Sequence, residues 1–167
     1  MEIRSIGPFL DYWENVRGRT LRIIACIPRE QLEWTYAPGK VTPGDVVRHL
    51  AAIERYMYAE TVQNKPSSYR GCGRELADGH DAVMEYLERL HAESVAIFRE
   101  LSEADLQSKC LTPAGTPITV WKWLRAMVEH EAHHRGQLYM MLSMLGVSTP
   151  PLYGLTEEEV RAKAVLQ

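Results

Sequence analysis

Apolar residues recur along this chain at spacings of three and four, the period of a helix with one buried face, and four long stretches carry that pattern. In the first, Leu10, Trp13, Leu21 and Ile24 share a side with Phe9 and Val16 at its edges, and the stretch runs to about residue 27, where Pro28 stops it. A second opens at Thr42-Pro43-Gly44-Asp45: Thr42 caps, Pro43 suits the first helical position, and Asp45 complements the positive helix end. Its face is Val46, Leu50, Ile53 and Met57, with His49 beside the stripe and therefore at or near the core. The third begins at Asp78, with Asp81 three later, and presents Met84, Leu87, His91, Val95, Phe98 and Leu101, with Ser94 alongside Val95. The last takes Thr119 as its cap, carries Val120, Trp123, Leu124, Met127, His130, His134, Leu138, Met141 and Leu145, and ends at Gly146. Thr156 and Glu159 make the capping box of a short terminal helix.

The segments between these helices are long. Arg29 to Lys40, with Trp34, Tyr36, Pro38 and Gly39, reads as an ordered connector, and Asn64 to Gly73 is a loop on its Gly, Pro and Ser content. Between Leu106 and Ile118 a Pro113-Ala114-Gly115 turn with extended flanks predicts a small hairpin. Helices of about 18 to 27 residues, joined by connectors too long for minimal hairpins, predict an all-α four-helix bundle with crossover loops and a short C-terminal helix. A chain of 167 residues that is 46% hydrophobic supports one core, so residues 1–167 are expected to form a single domain.

Composition removes several partners. Nineteen basic and twenty-two acidic residues give a net charge of -3, and the cations are scattered rather than striped, which argues against nucleic acid. The N-terminal residues lack a basic segment followed by an apolar core, and no stretch approaches the ~20 apolar residues that span a bilayer. Cys26, Cys72 and Cys110 are widely spaced, with no Cys-x-x-Cys, which argues against a disulfide framework and a thiolate zinc site. A soluble protein of the reducing cytoplasm is expected.

The chemistry lies in histidines. His130 and His134 are four apart on the apolar side of the last helix, so their rings lie about 40° apart around its axis and can grip one divalent cation if another helix supplies a third ligand. Met127 and Leu138 bracket them, and burying unpaired imidazoles there costs about 1–3 kcal/mol each, which a shared cation relieves. The plainer alternative places the pair on a polar shoulder among Glu129, Glu131 and Arg135. For the third ligand, His49 and His91 both lie at apolar faces. His133, about 60° from His130 on the side away from His134, is expected behind the ligands as a supporting residue, at the surface or at a dimer contact, and His80 is expected to be exposed. The run from His130 to His134 also satisfies His-Glu-x-x-His, with Glu131 as general base, but the extended protease form fails at Gly136 and Gln137. Glu157, Glu158 and Glu159 fit a capping box and solvated face better than a distant ligand.

Glu129-His130-Glu131-Ala132-His133-His134-Arg135-Gly136-Gln137-Leu138, with Val47-Arg48-His49-Leu50 upstream and Gly146 followed by Pro150-Pro151, resembles the DinB/YfiT-like metalloenzymes over nearly the whole chain. No relation to the translesion polymerase that shares the name is meant. The resemblance implies an up-down-down-up bundle, a homodimer, and a zinc or nickel ion held by His49, His130 and His134. Members with assigned chemistry include bacillithiol S-transferases and a mycothiol-dependent isomerase, so a metal-dependent hydrolase or thiol S-transferase, with a small-molecule substrate and a low-molecular-weight thiol, is the implied function. A non-catalytic metal-binding or stress-related dimer is the alternative. Three neutral nitrogens leave a cation its full charge, which activates water or thiol near neutral pH. Glu131 and Glu54 are candidates to orient an imidazole or move a proton, with solvated helix charges as the preferred reading. Arg135 is expected to pair with Glu131, and Gly136 to admit close approach of another helix or chain.

Overall fold

Helix α1 (Ile6–Ile24) buries Phe9, Leu10, Trp13, Val16, Ile23 and Ile24 as the spacing predicts, and adds Arg17 and Thr20 to the same face. The computed structural model describes residues 2–164. After a 3-10 turn at Arg29–Gln31, helix α2 (Pro43–Ile53) opens with the expected cap. Thr42 Oγ1 accepts from the Asp45 amide and Asp45 returns the bond to the Thr42 amide, each at 3.0 Å. Almost every α2 residue is buried, including Arg48, which donates to Glu33, to Asp45 at 2.9 Å and to the Ala77 carbonyl at 2.7 Å. A guanidinium taken out of water needs such saturation of its donors to be tolerated.

Beyond Ile53 the helix departs from the predicted period. Glu54–Tyr58 forms a π turn, in which the Ala59 amide reaches five residues back to the Glu54 carbonyl, before α3 (Ala59–Thr61) completes the rod. The wider turn rotates the residues beyond it around the helix axis. Tyr58 therefore takes the buried position that a 3.6-residue period assigns to Met57, and Met57 is only half-buried.

Helix α4 (His80–Arg99) starts two residues later than expected, after Gly79 at φ 84°. Cations of the flanking connectors draw the two predicted capping carboxylates away: Asp78 accepts from Arg74, and Asp81 accepts both prongs of Arg29 at 2.6 and 2.7 Å. A short helix α5 (Glu103–Gln107), capped reciprocally by Ser102 and Asp105, precedes the hairpin of β1 (Lys109–Leu111) and β2 (Pro117–Thr119), antiparallel with Cys110 opposite Ile118. Thr119 stands at the N-cap of α6 (Val120–Met144), but its hydroxyl accepts from Lys109 Nζ at 3.0 Å and makes no cap bond. Gly146, at φ 71°, turns the chain out of α6, where a side chain would be strained. Helix α7 (Glu157–Ala164) carries the predicted Thr156–Glu159 box.

The bundle runs up-down-down-up. Arg17 lies against Glu131 and Thr20 against Arg135, so α1 and α6 are parallel; Glu54 against His91 and Arg55 against Glu93 make α2 and α4 parallel. Apolar packing divides into two clusters. On α1 the change falls between Val16 and Ile23, on α2 between Ala52 and Ile53, on α4 between Leu90 and Val95, and on α6 between Met127 and Leu138. The segments spanning that waist on α1, α4 and α6 hold Arg17, Thr20, Ser94, Glu131 and Arg135, all buried, together with His130 and His134. Among the described residues no helix is long and apolar enough to cross a membrane.

Candidate metal centre

At the waist, α2 and α6 face each other across three half-buried imidazoles. His49 Nε2 lies 3.1 Å from His130 Nε2, which lies 3.0 Å from His134 Nε2. One ligand atom from each ring falls within 4.8 Å of the others. Three nitrogens held tetrahedrally at about 2.1 Å from a zinc-sized cation would be separated by roughly 3.4 Å, so the donors are spaced close to what one ion requires. His130 Nε2 carries either one proton or one lone pair, and a single proton directed at one neighbour leaves the other contact unrelieved; a central cation satisfies both.

Burial first, and then the neighbouring imidazole of His134, lowers His49 to about 4. The same causes bring His130 down to about 3, and burial pulls His134 below its ordinary value. All three are thus neutral at pH 7, the form that ligates metal. The outer nitrogens have neutral partners: His49 Nδ1 is 2.6 Å from the Tyr69 hydroxyl, and His134 Nδ1 is 2.6 Å from Gln137 Oε1. His133 is exposed and packs edge-on against His134 with ring centroids 4.9 Å apart.

A model of the DinB superfamily matches residues 12–138, a span holding all three histidines. The chain belongs to the DinB superfamily. Its fold is also that of a DinB-like protein from Bacillus cereus ATCC 10987, at 19% identity and TM-score 0.70 over 89% of this chain and 97% of that one. A DinB-like protein from Bacillus subtilis, YjoA, aligns at 20% identity and TM-score 0.62 over 84% and 93%. No curated protein matches the chain.

Behind its three histidines this DinB-superfamily chain buries a charge network that the sequence reading assigned to solvent. Glu54 and Glu131, expected as solvated helix charges, are both buried against Arg17. Glu54 accepts from Arg17 at 2.5 Å, from Trp13 Nε1 at 3.0 Å and from His91 Nδ1 at 3.0 Å. Glu131 Oε1 lies 3.5 Å from Arg17 Nη1 without a hydrogen bond. The two carboxylates thus meet around Arg17, and neither joins the histidine group. Because Glu131 is turned to Arg17, Arg135 forms no pair with it; Arg135 reaches Val16, Thr20 and Tyr153 instead. A side chain at Gly136 would meet nothing within 4 Å, so among the described residues no other helix approaches it. Glu157, Glu158 and Glu159 are exposed on α7, and His80 is half-buried between Arg29 and Asp81.

His91, the competitor to His49, belongs to this network. Burial opposes its charge, but the hydrogen bond and charge of Glu54, with Glu14 adding, outweigh burial and raise it above the ordinary histidine value. A raised folded value means that its stabilisation is complete below the unfolded pKa of about 6.5 and is lost as pH rises through the folded value. The melting temperature of wild type relative to His91→Gln is therefore expected to be larger at about pH 6 than at about pH 9. Thermal melts across that range check it; a difference independent of pH contradicts it.

Arg17, Tyr69 and Gln137 were missed from sequence. Arg17 left a signal, a cation on the stripe of Trp13, Val16 and Ile24, and Gln137 sits one turn after His134. Tyr69 left none, since it arrives from a loop twenty residues beyond His49.

Proposed function

We propose that this chain is a divalent-metal-dependent enzyme, of hydrolase or thiol S-transferase type, acting on a small molecule through His49, His130 and His134. The observation that carries the reading is the convergence of three neutral Nε2 atoms from two helices at 3.0–3.1 Å contacts. A bound zinc or nickel ion would act as a Lewis acid, lowering the pKa of water or a low-molecular-weight thiol that coordinates it. The chain's own part is to hold the donors and leave room. Among the described residues no fourth His, Cys, Asp or Glu joins the group, which supports an open position rather than a closed structural tetrahedron. A groove of about 420 Å³ lined by Tyr36, Val41, His133, Gly136, Gln137 and Met140 runs beside the centre, sharing with it Gln137 and His133, which touch His134, and its apolar lining supports binding of a small molecule next to the histidines.

Conjugation of a small thiol to an electrophile, and hydrolysis of activated esters and amides, are the assays. Turnover that disappears with chelator, returns with zinc or nickel and is lost in His130→Ala is expected. Stoichiometric metal without turnover in either assay would overturn the enzymatic reading in favour of a metal-binding protein.

A further inference from the structure

Two hydrogen bonds on the far side of the histidines point past the ligands to what orients them. Resting on the metal-centre reading above, we infer that Tyr69 and Gln137 are positioning residues that hold His49 and His134 as Nδ1-protonated tautomers, so that both rings aim an Nε2 lone pair at the shared cation.

For His134 the chemistry is decided by the partner. Gln137 Oε1 only accepts, so the 2.6 Å contact requires a proton on His134 Nδ1, and a neutral imidazole protonated there carries its lone pair on Nε2. That Nε2 is the atom facing His130. At His49 an outer partner again meets Nδ1, the Tyr69 hydroxyl at 2.6 Å, while Nε2 faces His130; a phenol both donates and accepts, so here the inward-facing Nε2 is what assigns the proton to Nδ1. With Nδ1–H donated to Tyr69 Oη, the phenolic proton is left to point elsewhere.

The Tyr69 contact is built from the backbone. The π turn includes Tyr56, whose carbonyl accepts from the Ser68 amide at 3.0 Å and from Ser67 Oγ at 2.7 Å. Glu60, one turn further along the rod, holds the Ser68 amide and hydroxyl at 2.7 and 2.8 Å. The irregular turn that breaks the apolar period of α2 is thus the anchor for the loop that delivers Tyr69 to His49. Both partners are neutral. An amide and a phenol fix ring orientation without adding the negative charge that a carboxylate partner would bring, so the centre keeps the charge of its cation undiluted.

Two readouts test this on the full chain. In metal-free protein, long-range proton–nitrogen NMR of the imidazoles is expected to show His134 as the Nδ1–H tautomer, with that population lost in Gln137→Leu; a dominant Nε2–H tautomer in wild type overturns the inference. Zinc titration of the same samples is expected to show affinity lowered roughly 10–100-fold in Gln137→Leu and in Tyr69→Phe. Gln137→Glu, which keeps the acceptor, is expected to match or exceed wild type, a rescue that a packing role would not give. Unchanged affinity in both deletion variants overturns the proposal while leaving the metal centre standing. Absence of zinc binding in wild type overturns the metal reading itself, and the NMR result still decides the tautomers.

Discussion

Arg17→Met is expected to lose about 3–5 kcal/mol of stability, because it removes the guanidinium that two buried carboxylates share and leaves Glu131 without an ion-pair partner. Arg17 is fully buried at the waist of the bundle, 2.5 Å from Glu54 and 3.5 Å from Glu131, and these belong to different helices. The carboxylates raise the guanidinium above its ordinary value despite burial, and burial drives Glu131 above the usual carboxylate range. Desolvation of such groups is costly, so the network's worth lies in its completeness. Two of the Arg17 nitrogens and Glu131 Oε1 make no hydrogen bond to the protein, so the layer is held by charge as much as by bond geometry. Neutralising the partners together, in Arg17→Met/Glu54→Gln/Glu131→Gln, is expected to recover a large part of the loss, as removal of whole buried charge networks does elsewhere. Equilibrium urea unfolding checks both variants. The exposed pair of Arg74 and Asp78 is the control, and its removal is expected to leave the midpoint unmoved.

The second large effect concerns the histidines. His130 occupies the middle of the group, with its Nε2 in contact with those of both His49 and His134. His130→Ala is expected to abolish specific zinc or nickel binding and with it the stabilisation those ions confer, about 2.7 kcal/mol for wild type when free metal is about 100 times the dissociation constant. His133→Ala, which removes an exposed ring packed on the flank of His134, is expected to retain the stabilisation. So is His91→Ala, however much it lowers the starting stability, since His91 is committed to Glu54 and Glu14. Melting each variant with and without added metal measures the increment directly. A metal-dependent rise that persists in His130→Ala would remove that residue from the site.

What could be read from the sequence followed its periodicities. Leu10, Trp13 and Ile24 mark α1, Thr42 and Asp45 cap α2, Thr156 and Glu159 cap α7, and His130 with His134 at four apart lie on one flank of α6, as the helical period requires. What escaped was whatever depended on a partner remote in the chain or on a departure from 3.6 residues per turn. The π turn moved Tyr58 into the place expected for Met57. Glu54 and Glu131 read as surface charges because nothing within a turn of either announces Arg17, which lies 37 and 114 positions away. Arg48 escaped in the same way, its partners Glu33 and the Ala77 carbonyl coming from separate connectors. The three histidines illustrate both sides: the pair on α6 was a local pattern, whereas the choice between His49 and His91 as their companion rested on the family resemblance. The geometry then separates the two, with His49 facing His130 and His91 facing Glu54.

Calorimetric titration of zinc into metal-stripped protein purified without an affinity tag tests the shared-cation centre most directly. One equivalent per chain, bound to wild type and lost in His130→Ala, is the predicted result. Absence of saturable binding of both zinc and nickel by wild type, or binding that survives His130→Ala unchanged, would contradict it.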